Sequence, residues 1–109
     1  MDIRLETIQS TLVAKLRGEI DHHSAQEIRE TIDRQIRLKN IKNLVFDFEG
    51  VTFMDSSGIA VIIGRYKQIQ AAGGKTLIIR ARPQVDRLLE ISGIKRIINT
   101  GERSGNLYG

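Results

Sequence analysis

The sequence predicts an α/β domain in which a mixed β-sheet has helices packed against it. Three observations carry that expectation. The first 17 residues alternate apolar and polar side chains twice over, the period of half-buried strands. Three later segments place apolar residues three and four apart, the period of amphipathic helices. Between and after the helices lie short β-branched and aromatic runs, so the order reads ββαβαβαβ. A hairpin followed by βαβ units makes part of the sheet antiparallel and the rest parallel.

Residues 2–9 set Ile3, Leu5 and Thr7 opposite Arg4 and Glu6, and residues 11–17 set Leu12, Ala14 and Leu16 opposite Lys15 and Arg17. Only about two residues around Ser10 separate these strands, which predicts a hairpin. Residues 18–23, GEIDHH, form a connector. Ser24-Ala25-Gln26-Glu27 reads as a capping box with Ser24 as N-cap, and Ile28, Ile32, Ile36 and Leu38 extend a helix over about 24–39. Asn43 to Phe48 is a strand, and Val51 and Phe53 continue it.

FMDSSGIAVIIGRY follows, with Ile59, Ile62, Ile63, Tyr66 and Ile69 as an apolar stripe. Gly73-Gly74 ends that helix. Lys75 to Arg80 is the next strand, and Pro83 opens a helix whose core face is Val85, Leu88, Leu89 and Ile91. Gly93 stops it, and Ile94 to Ile98 reads as a last short strand. The tail over 101–109 has no amphipathic period and reads as loose.

A chain of 109 residues fits one domain over 1–109 with a two-layer core. With no Cys there is no disulfide framework and no thiol chemistry. The charged, alternating N-terminus is not a signal peptide, and no apolar run is long enough to span a membrane. These features point to a soluble, cytoplasmic protein with no membrane partner. A net charge of +4 raises nucleic acid as a partner, but acids and bases are interleaved, as in EIRETIDRQIRLK, and no basic–aromatic stripe occurs. Direct nucleic-acid binding is therefore not expected.

Asp55-Ser56-Ser57-Gly58 admits several chemistries. A serine nucleophile with His22 or His23 as base lacks the G-x-S-x-G elbow and the chain length of a hydrolase. A metal site from Asp21, His22, His23 and Asp55 lacks ligand spacing, and no cofactor is implied. A phosphate loop would need a glycine pattern that DSSG does not match. Helix capping explains one of the three polar residues. A hydroxyl on an exposed helix N-terminus is also well placed to carry a phosphate, because the macrodipole and free amides stabilise the added charge.

GEIDHHSAQEIRE, LVFDFEGVTFMDSSGIAVIIGRYKQI, the G-G-K turn and LLEISGIKRII together resemble the anti-sigma factor antagonists. These are the single-domain members of the sulphate transporter and anti-sigma antagonist (STAS) group. The likeness covers about residues 2–100 and is nearest to the sporulation members from endospore-forming bacteria. It implies a mixed sheet of four or five strands with helices mainly on one face, and no enzymatic activity. It implies as partners an anti-sigma factor serine kinase, which phosphorylates the antagonist with ATP and magnesium, and a metal-dependent serine phosphatase, which reverses this. Unphosphorylated antagonist binds the kinase and frees a sigma factor.

Carried over, Ser56 is the phosphoacceptor, Asp55 the motif's acid and Ser57 the helix cap. Asp21, His22 and His23 border the phosphorylation site and join Asp55, Ser56, Ser57, Gly58 and Ile59 in the kinase-binding face. A general-stress antagonist with a different cognate kinase shares every motif. A nucleotide-binding α/β module and a detached anion-transporter domain are the other readings. Family members usually carry a last helix, and the polar tail after residue 100 departs from that pattern.

Overall fold

The computed structural model describes residues 1–101. Most of the tail expected to be loose, residues 102–109, lies outside the described residues. Strand β1 (Asp2–Ile8) and strand β2 (Thr11–Ile20) form the hairpin, joined through Gln9 and Ser10. Gln9 takes φ 56, the left-handed region that two-residue hairpin turns require. Helix α1 (His22–Lys39), strand β3 (Asn43–Met54), helix α2 (Ser56–Ala71), strand β4 (Thr76–Ile79) and helix α3 (Pro83–Ser92) follow.

The final element differs from the expectation. Ile94–Arg96 is a 3-10 turn, and the last strand, β5, is Asn99–Gly101. Ile94 and Ile98 are buried, at 1% and 2% exposure, but they fill the core from a turn and a connector. Two apolar residues four apart suit a turn as well as a strand end, so periodicity alone could not separate them.

The sheet order is β1-β2-β3-β4-β5, with only the β1–β2 pair antiparallel. Because the strand order never reverses, right-handed crossovers place all three helices on one face. The main core bears this out: Leu12, Ala14, Leu44, Phe46 and Ile78 of the sheet pack with Ile28, Ile32, Ile62, Ile69 and Leu89 of the helices. Val13, Val45 and Ile79 form a small second cluster on the other face. Ile91, expected in the core face of α3, is instead 76% exposed, off the stripe set by Val85, Leu88 and Leu89.

Strand β3 does not run in simple register with β2. From Lys15 to Arg17 the partners on β3 advance from Asp47 to Gly50, and from Gly18 to Glu19 they advance from Val51 to Phe53. Each step inserts one extra residue in β3, the signature of a bulge. The second bulge reverses the alternation, so Val51 is fully buried while Phe53, two residues on, is 47% exposed.

Gly73 and Gly74 close α2 for different reasons. Gly73 has φ +82 and donates to the Gln70 carbonyl, while Gly74 donates to the Ile69 carbonyl, both at 2.9 Å. A Cβ on Gly74 would lie 1.5 Å from the Lys42 carbonyl oxygen. No helix among the described residues is long and apolar enough to cross a membrane.

Candidate functional site

Helices α1 and α2 start where the parallel strands β2 and β3 end. Ile20 and Met54 are register partners, and the Asp55 amide donates to the Ile20 carbonyl at 3.1 Å. The two loops therefore leave the sheet together, and the first turns of both helices lie beside each other. Neither first turn carries an acidic side chain.

Both caps are aspartates, which corrects two expectations. Asp21, not Ser24, is the N-cap of α1, so the helix starts two residues before the predicted boundary. Asp21 Oδ1 accepts from the amides of His23 (2.9 Å) and Ser24 (3.0 Å), and Ser24 Oγ accepts in return from the Asp21 amide at 3.0 Å. The box is thus Asp21-x-x-Ser24 rather than Ser24-x-x-Glu27. The β2 ladder runs on to Ile20, which delivers Asp21 in the extended conformation that a cap needs. Asp55, not Ser57, caps α2, its Oδ1 accepting from the Ser57 amide at 2.8 Å.

The two serines are thereby separated in role. Ser56 is the first residue of α2 and is exposed, and its hydroxyl has no hydrogen-bond partner among the described residues. Ser57 is half-buried and donates the capped amide. Gly58 is buried, and a Cβ there would meet Met54 Cγ at 2.4 Å and Ile20 Cγ2 at 3.0 Å. Glycine thus lets the first turn of α2 settle on the ends of β2 and β3. Ile59 is half-buried against the core. His22 and His23 are exposed, with ring centroids 6.0 Å apart and edge to face.

The Ser24 amide, more than the His23 amide, holds the Asp21 carboxyl below its ordinary value. Among the described residues no group of three or more His, Asp or Glu side chains is arranged to hold a metal ion. Among the described residues the strand order does not reverse, so it forms no switch point of the kind that binds nucleotides in open α/β sheets.

The STAS domain family model matches residues 2–106. The chain belongs to the STAS domain family. It is 37% identical over 98 residues to an anti-sigma F factor antagonist of Paenibacillus polymyxa, covering 90% of this chain and 84% of the relative. Its fold superposes on the anti-sigma factor antagonist SpoIIAA in its unphosphorylated form with TM-score 0.81 at 31% identity, covering 91% of this chain and 87% of the other. The Bacillus cell fate determinant SpoIIAA in the phosphorylated form gives TM-score 0.73 at 30% identity, covering 91% and 90%. This STAS fold is the mixed sheet with helices on one face that the resemblance implied.

Two charged residues turn inward. Arg65, on α2, is 8% exposed. Its Nε lies 2.9 Å from Asp33 Oδ1 on α1, close enough for an ion pair although the N–H is not aligned for a hydrogen bond. Burial lowers the Arg65 pKa and Asp33 opposes that shift. Asp47, on β3, is 3% exposed and accepts from Arg80. In both cases the partner comes from an element distant in sequence.

Proposed function

We propose that this STAS domain is an anti-sigma factor antagonist whose unphosphorylated form binds an anti-sigma factor serine kinase and so releases a sigma factor. Phosphorylation of Ser56 by that kinase, with ATP and magnesium, switches it off, and a metal-dependent serine phosphatase restores it. The observation that carries the reading is the division of labour at the start of α2. Asp55 caps the helix, so the exposed Ser56 hydroxyl has no structural task and is open to a kinase. Further support comes from the relatives, one an anti-sigma F factor antagonist and one solved in both phosphorylated and unphosphorylated forms.

The docking face in this reading is formed by Asp21, His22 and His23 with Asp55, Ser56, Ser57 and Ile59, and Gly58 supports it from beneath by letting α2 sit close. Phosphate adds about −1.5 to −2 charge units at neutral pH. It would join the Asp55 carboxylate at one helix end, where the amides and macrodipole can host it without refolding. Against a partner surface shaped for a hydroxyl, the same charge brings repulsion and desolvation. Disrupting such a buried polar contact costs about 2–5 kcal/mol, or roughly 30-fold to a few thousand-fold in affinity. That is enough to reverse a competition for the kinase.

The deciding experiment is intact mass after incubation with the cognate anti-sigma kinase, ATP and magnesium. Wild type and Ser57→Ala should each gain one phosphate and Ser56→Ala none. A phosphate retained in Ser56→Ala, or no phosphate on wild type across a panel of anti-sigma kinases, would overturn the assignment. Using sporulation and general-stress kinases in that panel identifies the cognate class.

A further inference from the structure

We propose that Phe53 is the apolar anchor by which the anti-sigma factor serine kinase seats on this chain, an inference that rests on the functional reading above. Phe53 is 47% exposed although it lies in a strand between two buried residues, Val51 and Met54. The extra residue inserted between the partners of Gly18 and Glu19 turns it outward. Bulges of this kind re-aim side chains beside functional sites.

Its position ties it to Ser56. Phe53 precedes Ser56 by three residues, and its register partner is Glu19, two residues ahead of Asp21. It therefore stands at the end of β3 from which both loops leave the sheet, three residues before the exposed serine, and shares the outward face of the sheet with Glu19. Of the other large exposed apolar residues, Ile8, Leu38, Ile91 and Ile97 lie toward the opposite ends of the strands, while Met1 lies beside Gly18 at this end.

Strand β3 pairs with β4 only as far as Asp47, so from Phe48 to Met54 its β4-side edge has no strand partner among the described residues. The Arg82 Nε donates to the Glu49 carbonyl at 2.8 Å and blunts only the start of that edge. An exposed aromatic beside a strand edge without a strand partner gives a docking partner an apolar anchor. A kinase that brings its active centre to Ser56 covers this ground.

The test measures phosphorylation of the full chain by the cognate kinase with ATP and magnesium, resolving KM for the antagonist from kcat. Phe53→Ala should raise KM at least tenfold, leave kcat within about twofold, and lower the melting temperature by no more than a few degrees, because the side chain is already half in water. Phe53→Leu should recover most of the loss, and Ile91→Ala should behave as wild type. A KM for Phe53→Ala within twofold of wild type, or an equal rise for Ile91→Ala, overturns the anchor while Ser56 phosphorylation stands. If wild type accepts no phosphate, the functional reading fails and the anchor fails with it.

Discussion

The backbone amide of Asp55 donates to the carbonyl oxygen of Ile20 at 3.1 Å, and this bond aligns the starts of two helices. Each helix is capped by an aspartate, Asp21 or Asp55, at the end of a parallel strand. The arrangement stands on tight packing beneath it and on an ion pair between the helices further along.

Gly58 is the packing element. Replacing it with Ala places a methyl 2.4 Å from Met54 Cγ and 2.9 Å from Met54 Sδ. Overpacking costs about 1–3 kcal/mol, and better helix propensity returns up to about 1. Gly58→Ala should therefore lose about 1–2 kcal/mol in urea unfolding, and Gly58→Ala with Met54→Ala should lose less than the sum of the two single changes. Strict additivity would show that the two side chains do not meet.

Two other glycines should respond in opposite directions. A Cβ on Gly64, inside α2, meets nothing within 4 Å, so Gly64→Ala should stabilise by about 0.5–1 kcal/mol. Gly74→Ala drives its methyl into the Lys42 carbonyl, a backbone atom that cannot step aside, and should cost at least about 3 kcal/mol. Thermal unfolding resolves both, at roughly 4 °C per kcal/mol for a domain of this size.

Removing one member of the Asp33–Arg65 pair strands a charge between α1 and α2. Asp33→Ala should cost about 1–3 kcal/mol, below the figure for a fully buried pair because Asp33 is 24% exposed. Arg65→Met, which removes the charge and keeps the volume, should lose less than Arg65→Ala. Denaturant midpoints at constant m distinguish these outcomes.

The Asp21 carboxyl has its pKa lowered in the folded chain. Its contribution is therefore present above the unfolded value of about 3.9 and is lost as pH falls through the folded value. Asn caps nearly as well but does not titrate. The melting temperature of wild type should exceed that of Asp21→Asn at neutral pH, and the gap should close below about pH 4. A gap independent of pH down to pH 2 would mean that the Asp21 charge does nothing for the cap.

Much of this protein is a local property of its sequence. Period-two alternation locates β1 and β2, period-3.6 stripes locate α1 and α2, and Asp55-Ser56-Ser57-Gly58 stands out as a candidate site from the sequence alone. Such patterns survive reading one residue at a time because they record which face of each element meets the core. Tertiary structure decided what depends on distant partners. Ser24 and Asp21 both suit a cap, and the length of the β2–β3 ladder chose Asp21. Phe53 and Val51 share a strand and a parity, and the bulge against Gly18 and Glu19 put one in water and one in the core. Arg65 reads as a surface cation until α1 brings Asp33 to it. Register, bulges and helix contacts arise between segments far apart in the chain, and no local period encodes them.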